Sequence, residues 1–243
     1  MYLKSLQERN KNNRHNPIEM IKQYRLLLLA LLLIGCKKEP AIELEDFNLN
    51  SKVSTFVSDK NKYKTYTNYY QIKSEIIGAD TVSDGELIGS EQPIRIDYKQ
   101  QMFSYEDVIA RFGDFEFNAI NFATTVTGKL MVFNAVAGKI SLKETQSFVQ
   151  LFNDKYGKAA KTKGEFIKPF DIYTWQLKDR IIKYCVVSED DSNALKVGTD
   201  KNQHTVKQGK KETYLKAFIY IIKKEYADQV IGQMSSGDLL YCD

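Results

Sequence analysis

Residues 171–187 read DIYTWQLKDRIIKYCVV. The first seven of these residues alternate in polarity and favour β-structure, and the last eight are also β-favouring. Lys178-Asp179, between the two runs, suits a tight turn. The stretch therefore predicts an antiparallel β-hairpin, with Trp175 in its first strand.

A helix is predicted directly upstream of this hairpin, over residues 141–156. Ser141 and Glu144 have the spacing of a capping box, in which each side chain satisfies a free backbone N–H. Gly157 is the residue type that commonly ends a helix. One broad face is apolar, as expected for a helix packed on a sheet. That face consists of Leu142, Phe148, Val149, Leu151, Phe152 and Tyr156.

The rest of the chain reads mostly as strands. Short helices are predicted from Ser104 to a stop at Gly113 and over residues 224–234, and residues 188–211 read as a loop. The order of strands, helix, then strands lacks regular β–α alternation, which favours an α+β fold. We expect a largely antiparallel β-sheet with a few helices packed on one face. The further predicted strands are residues 69–77, 93–98, 114–120, 129–133 and 212–222.

A separate signal lies near the N-terminus, where residues 26–34 are nine consecutive apolar residues. A helix of that length spans roughly 15 Å, about half of the hydrocarbon core of a bilayer. This is too short for a spanning helix and typical of the hydrophobic region of a signal peptide. Lys22 and Arg25 supply the basic flank that such a signal carries.

The apolar run ends in Leu33-Ile34-Gly35-Cys36, which resembles the lipobox of bacterial lipoproteins. The resemblance implies that Cys36 carries a diacylglycerol thioether. It also implies cleavage before Cys36 and further acylation, such as palmitate, of the new N-terminus. Several acyl chains anchor a protein stably without any spanning helix. An ordinary secretory signal with a chance cysteine is the alternative interpretation.

These signals divide the chain into three parts. Residues 1–35 are predicted to be the signal peptide, and Met20 is the expected true start because the residues before it are polar. Residues 36–50 are predicted to be the lipidated cysteine and a charged tether. Residues 51–243 are predicted to form a single α+β domain, with a candidate break in its substructure near residues 138–141.

The resemblance to lipoproteins implies a lipid-anchored position in the cell envelope. Lys37 follows the lipidated cysteine, rather than the Asp that resembles an inner-membrane retention signal, and this favours the outer membrane. The periplasmic side and the cell-surface side of that membrane are both retained as alternatives.

Two cysteines remain once Cys36 is lipidated, namely Cys185 and Cys242. An oxidising compartment would allow them to form a disulfide that ties down the C-terminal tail. Two buried, reduced thiols are the alternative.

Charge and residue usage exclude several functional classes. Residues 1–35 carry six basic and two acidic residues, and the remaining 208 residues carry 29 of each. A neutral body gives no electrostatic reason to expect a nucleic-acid partner. His204 is the one histidine after Cys36, so no metal site with two histidines can form within the chain. The sequence also lacks nucleotide-binding glycine motifs, and no metal or cofactor is expected.

The candidate ligand contacts are aromatic. Tyr63, Tyr66, Tyr69 and Tyr70 cluster near the first predicted strand and could stack on a sugar or a partner peptide. Packing in a β-rich core is the alternative. A second feature is a basic stretch, predicted to be a solvated helix end and loop, with contact to anionic polymer or headgroups as the alternative. Its lysines are Lys155, Lys158, Lys161, Lys163 and Lys168, with Glu165 as the one acid among them.

Two acidic groups could act as catalytic carboxylates in an envelope polysaccharide hydrolase. They are Glu189-Asp190-Asp191 and the pair Asp114 and Glu116. Residues 139–187 loosely resemble small bacterial envelope domains, through Lys155-Tyr156-Gly157 and Trp175, and no activity follows from that likeness.

The sequence therefore predicts a lipid-anchored envelope lipoprotein with a non-catalytic binding or assembly role. Its expected partner is an envelope protein or glycan. The alternatives are a carboxylate-dependent hydrolase of envelope polysaccharide, or an envelope inhibitor or immunity lipoprotein.

Overall fold

The structure is a computed structural model that describes most of the chain after residue 39. The leader, including Met20 and Cys36, lies outside the described residues. The described residues are 40–58, 60, 62, 68–73, 75–84, 92–101, 107–166, 168–190, 195–200, 203–208, 213–234, 239 and 241–242.

Strands dominate the described residues. Two α-helices accompany them there, α1 over Leu142–Tyr156 and the short α2 over Ala227–Val230. In chain order the strands are β1 Ile42–Glu43, β2 Tyr69–Ile72, β3 Glu75–Ser83, β4 Pro93–Gln100, β5 Ala110–Phe112, β6 Phe115–Phe117, β7 Ala119–Thr125, β8 Leu130–Ile140, β9 Ala160–Phe166, β10 Lys168–Gln176, β11 Arg180–Asp190, β12 Leu195–Asp200, β13 Gln203–Gln208 and β14 Thr213–Lys223.

Nine strands form one open sheet in the order β2-β3-β4-β7-β8-β14-β11-β10-β9. Every neighbouring pair in it is antiparallel. A small sheet, β1-β5-β6, and the hairpin β12-β13 complete the strands. This architecture confirms the predicted α+β class with a largely antiparallel sheet.

The predicted hairpin is present as β10 and β11. Leu177 N donates to Arg180 O at 2.9 Å across Lys178 and Asp179, which closes the tight turn. The register places Trp175 opposite Ile182. Both side chains are buried, as expected for the inward positions of alternating strands.

The predicted helix is α1, and its capping box is confirmed. Ser141 Oγ accepts from Glu144 N at 3.2 Å, and Glu144 Oε2 accepts from Ser141 N at 2.7 Å. The hydrogen bonds that the Glu144 carboxylate accepts from Ser141 Oγ, at 2.6 Å, and from Ser141 N lower the pKa of Glu144. Gly157 follows the helix with a φ of 85°, a conformation that glycine adopts at little cost. Phe148 and Phe152 are buried against the sheet.

Several local predictions are wrong, among them the strand predicted over residues 114–120, which is divided between β6 and β7. The strand predicted over residues 69–77 is two strands, because Lys73 adopts a φ of 53° and turns the chain between β2 and β3. The helix predicted from Ser104 does not cover residues 110–112, which form β5. Gly113, with a φ of 56°, makes the turn to β6 instead of ending a helix. Residues 188–211 are not a loop throughout, since β11 extends to Asp190 and β12 pairs with β13.

The helix predicted over residues 224–234 is shorter and less regular. Lys224–Tyr226 form a 3₁₀ turn, and α2 contributes a single further turn. Val230, at the end of α2, is fully buried in an apolar cluster with Ala119 and Phe218. The helical character is therefore confined to the part of this segment that places Val230 on the sheet.

The nine-stranded sheet is covered on both faces. One face, called here the helix face, packs against α1 and residues 42–57. It is rich in aromatic side chains, including Phe133, Tyr184 and Trp175. The other face, called here the tail face, packs against residues of the C-terminal segment from Val230 to Cys242. Its buried cluster includes Cys185 and Cys242. The two apolar clusters lie on opposite faces because consecutive side chains in a strand point in opposite directions.

Residues 41–243 form one compact unit. The tether predicted over residues 36–50 is too long, because β1 pairs with β5 and Leu44, Phe47 and Leu49 are buried. The Phe47 ring lies 4.4 Å from that of Phe133. The break predicted near residues 138–141 falls where β8 passes directly through Ser141 into α1.

Candidate functional site

A groove of about 470 Å³ lies on the helix face, between the first half of α1 and the neighbouring strands. The strands that line it are β9, β10, β11 and β14. Its volume falls within the roughly 300–1,000 Å³ of typical ligand sites. We treat this groove as the candidate functional site.

One wall of the groove comes from the first two turns of α1. Leu142, Thr145, Gln146 and Val149 line it, and their spacing of three and four residues places them on one side of a helix. Thr145 is buried, whereas Leu142 is 62% exposed. Leu142 is thus a large apolar side chain left in water at the rim of the groove.

The floor and the opposite wall follow from strand register. Lys161 lies opposite Tyr173, and Lys163 lies opposite Asp171. These four side chains line the groove together with Phe170, Val186, Ser188 and Leu215. The groove therefore combines charged and hydrogen-bonding groups with an apolar lining, a combination typical of binding sites.

Lys161, Lys163 and Asp171 form an ion cluster, called here the lysine cluster. Lys161 Nζ lies 3.0 Å from Asp171 Oδ2, and Lys163 Nζ contacts Asp171 Oδ1. Partial burial would raise the pKa of Asp171, but hydrogen bonds from both lysines outweigh it and the pKa is lowered. The cluster carries two ammonium groups and one carboxylate, so it is net positive.

Tyr173 helps to hold this cluster in place. Lys161 Nζ lies 5.1 Å from the centre of the Tyr173 ring, within the range of a cation–π contact. Hydrogen bonds with Asp171 and Tyr173 raise the pKa of Lys161. Lys161 therefore stays charged at neutral pH and is oriented along the strand.

The groove is suited to binding an anion that has apolar neighbours. Among the described residues, Asp171 is the one carboxylate that lines it, and its lowered pKa keeps it ionised. Acid–base hydrolysis of a glycosidic bond uses two carboxyl groups, one of them protonated. The groove residues do not supply that pair.

The tyrosines predicted as ligand contacts lie at the other edge of the sheet. Tyr70, on β2, packs against the core of the helix face, with its ring 6.4 Å from that of Tyr98. Tyr69 is the neighbouring residue on β2 and points to the opposite face. Tyr63 and Tyr66 lie outside the described residues. None of the described tyrosines of this group lines the groove.

The structure brings Cys185 and Cys242 into the same buried cluster of the tail face. Their sulfur atoms are not bonded to each other in the structure. Cys185 Sγ donates to the carbonyl of Tyr241, the residue before Cys242, at 3.3 Å. The disulfide stays a prediction, and the tail is already held close to Cys185 without it.

The acidic candidates are dispersed. Glu116 pairs with Arg111 at 2.6 Å, and Asp114 lies in the turn between β5 and β6. Glu189 Oε2 accepts from Tyr214 Oη at 3.5 Å, near the end of β11. Asp191 lies outside the described residues. Within the described ranges, no group of three or more His, Cys, Asp or Glu side chains is placed to hold a metal ion.

A carboxylate with a raised pKa lies far from the groove, on the tail face. Burial raises the pKa of Asp97, although its hydrogen bond with Arg95, at 2.9 Å, acts in the opposite direction. Asp97 is fully buried, and its Oδ2 atom has no hydrogen-bond partner among the residues that the structure describes. Asp97 lies on β4, whereas the groove begins at β14.

Sequence reasoning missed β9, which supplies both lysines of the groove. Residues 160–166 read as basic loop because they lack the apolar alternation of an inner strand. One signal was present in Gly164: a Cβ atom there would lie 2.5 Å from Phe170 Cζ, because the Phe170 side chain of β10 packs over this position.

No protein-family model, curated protein or solved structure matches the chain. Every helix in the described ranges is too short or too polar to span a lipid bilayer.

Proposed function

We propose that this protein is a lipid-anchored lipoprotein of the cell envelope with a non-catalytic binding role, and that the groove beside α1 is its binding site. The observation that carries the binding role is the groove itself. It places two lysines and a hydrogen-bonding set beside apolar side chains in a volume of about 470 Å³. Sites of this composition bind ligands through a few placed polar groups and an apolar lining.

The anchor rests on the lipobox that ends in Cys36. The domain begins near Ile42, so the tether of residues 37–41 spans about 17 Å at most when extended. A tether this short keeps the domain close to the bilayer, which we take to be the outer membrane.

The position of the groove suits an anchored protein. The segment that follows the tether meets the C-terminal end of α1, where Glu45 pairs with Lys155. Leu142, at the groove, is about 20 Å from Lys155 along the axis of an α-helix. The groove therefore lies at the end of α1 far from the tether, where a partner has access.

A protein partner is favoured over a glycan by the exposure of Leu142. Together with Val149 and Leu215, Leu142 gives the groove a contiguous apolar lining, and exposed apolar surface of this kind marks protein interfaces. An inhibitor or immunity role, in which the protein blocks a partner by surface complementarity, is the second candidate for the same reason.

The anchor is tested by comparing the parent chain with Cys36→Ser in membrane fractions. We expect the parent in the detergent-soluble membrane fraction, with an increase in mass from acylation, and the variant in the aqueous fraction. Cys185→Ser is the matched control and should fractionate like the parent. Identical fractionation and maturation of the parent and Cys36→Ser would refute the anchor.

The binding role is tested with a photo-crosslinking residue placed at Gln146, in the groove, or at Asp154, on the second half of α1. Both positions are exposed. We expect a discrete crosslinked product in envelopes from position 146 and not from position 154. The Ser188→Trp substitution fills the groove and should suppress the crosslinked product from position 146. Equal products from both positions, unaffected by Ser188→Trp, would contradict a binding role for the groove.

A further inference from the structure

The edge of the sheet at β9 borders the groove. In the described part of the chain, β9 pairs with β10 on one side and is the last strand of the nine. An edge strand presents backbone N–H and C=O groups to solvent and can accept a further strand. Which residues present those groups is fixed by the hydrogen-bonding phase of the β9–β10 pair.

Pro169 sets this phase. Antiparallel residues alternate between pairs that exchange two hydrogen bonds and pairs that exchange none. Pro169 lies opposite Glu165 and has no N–H, so this pair belongs to the second kind. By alternation, the pairs of Lys163 with Asp171 and of Lys161 with Tyr173 are of the second kind too. The backbone groups of Lys161, Lys163 and Glu165 therefore point toward the free edge.

The opposite half of the sheet gives the same phase independently. Ile120 N donates to Gln100 Oε1 at 3.0 Å, so the backbone of Ile120 points toward β4 and away from β8. From each strand to the next along one row of paired residues, the backbone N–H and C=O groups point alternately toward β2 and toward β9. Those of Lys161, the last residue of the row, therefore point away from β10 and into solvent. That row is Ile120, Ala135, Ile219, Tyr184, Tyr173 and Lys161.

Two of the three residues that face outward with their backbone, Lys161 and Lys163, are cationic. The side chains of Lys161 and Lys163 are 51% and 71% exposed and lie on the groove side of β9. Residues of an added strand directly opposite them would have their Cβ atoms about 5.5 Å away on the same face. Two carboxylates there, separated by one residue, would each lie opposite one exposed ammonium group and would compete with Asp171 for the two lysines.

Glu165 gives the preference a direction. It follows Lys163 on the same face of β9, so a third carboxylate opposite Glu165 would be repelled. In an antiparallel partner, the preferred order is a neutral or basic residue, then two acidic residues, at alternate positions.

We propose that β9 accepts an extended acidic segment of a partner protein as a tenth strand, with alternate carboxylates opposite Lys163 and Lys161. The inference rests on the proposed binding role and names its partner chemistry. Backbone hydrogen bonds supply the affinity of such an added strand, and the alternate side chains supply its specificity.

The test uses the full chain in detergent micelles and a labelled peptide of about nine residues, the length of a long strand. The peptide carries two Glu separated by one Val in a Thr-rich sequence. One control peptide has Lys in place of Glu. A second keeps both Glu but is N-methylated at them, which removes the amide donors and leaves the charge. We expect saturable binding of the first peptide alone.

Two pairs of variants separate the contributions. Glu165→Pro removes an outward N–H, and we expect binding to weaken roughly five- to tenfold relative to Glu165→Ala, which keeps it. Lys161→Gln with Lys163→Gln should weaken binding roughly two- to thirtyfold. Circular dichroism and thermal unfolding check that the variants are folded, and Lys158→Gln serves as the charge control.

Three results would overturn the inference. The first is that the methylated and unmethylated peptides bind equally well, or that Glu165→Pro and Glu165→Ala bind the acidic peptide equally well. Charge alone would then explain the binding. The second is no binding of the acidic peptide. The third is a dimer in sedimentation that Glu165→Pro abolishes, because a second copy is then the occupant. If the crosslink from position 146 persists in these cases, the binding role stands and only its partner chemistry fails.

Discussion

Two carboxylates on the same sheet, Asp97 and Asp171, are each paired with basic side chains, but their pKa values are shifted in opposite directions. Asp97 is fully buried on the tail face beside Arg95, which is 5% exposed. Asp171 lies on the helix face between Lys161 and Lys163, with 29% of its side chain exposed. Burial raises the pKa of Asp97, while the two lysines lower that of Asp171.

The comparison shows what solvent contributes to an ion pair. At Asp97, desolvation outweighs the attraction of one arginine, so the charged form is disfavoured although it is paired. At Asp171, water still reaches the cluster and desolvation is smaller than the effect of two ammonium groups. The buried pair at Asp97 therefore carries a large desolvation cost, whereas the cluster at Asp171 carries a small one and stays accessible to a ligand.

The largest expected effect is that of breaking the buried pair. Asp97→Ala leaves Arg95 buried without its counter-ion and should lower the free energy of unfolding by about 3–5 kcal/mol. Urea unfolding followed by circular dichroism measures it. Replacing both partners, with Arg95→Met and Asp97→Leu, should restore most of the loss because no buried charge remains. A double variant as unstable as the single one would show that the pair itself is needed.

Opposite dependences on pH are the next effect. The folded-state pKa of Asp171 is lowered, so its contribution to stability is present above its unfolded pKa and is lost as pH falls through the folded pKa. That of Asp97 is raised, so protonation favours the folded state and its cost declines as pH falls through that value. Unfolding free energies of Asp171→Asn and Asp97→Asn, each subtracted from the parent between about pH 7 and pH 3, should trend in opposite directions.

The smallest effect on stability is expected at the exposed cluster. Asp171→Asn should change the free energy of unfolding by less than about 1 kcal/mol, as is usual for ion pairs in contact with water. It should nevertheless tighten binding of the acidic peptide several-fold, roughly 1 kcal/mol, because both lysines lose their internal partner. The matched control is Asp154→Asn, on the exposed side of α1. Unchanged or weaker binding by Asp171→Asn would show that the lysines do not meet the ligand's charge.

Local patterns in the sequence predicted the elements whose determinants are local. The capping box of Ser141 and Glu144 and the turn at Lys178-Asp179 each depend on a few adjacent residues. The turn at Lys73 was missed because a lysine with positive φ has no glycine to mark it. Leu44 and Phe47 were assigned to a tether because the acidic residues around them hide apolar positions that only the folded core reveals.

The groove could not have been predicted in the same way. Its charged wall depends on the register that sets Lys163 opposite Asp171 and on the position of β9 at the sheet edge, both of which are long-range properties. A solvated edge strand rich in lysine reads locally like a loop. The charge pattern was noticed in the sequence, but the partner of those charges was not.

The packing of residues 42–57 has a consequence for how the chain reaches its native state. Phe47 O accepts a hydrogen bond from Arg180 Nη1 at 2.6 Å, across 133 residues of chain, and the Phe47 ring lies on that of Phe133. The first part of the domain to be synthesised thus pairs with residues that are synthesised much later. Contacts of such long sequence separation slow folding. A recombinant version begun at residue 51 would lose the Phe47 ring from Phe133, keeping the contacts with Phe56 and Phe122, and should aggregate more readily than one begun at Ala41.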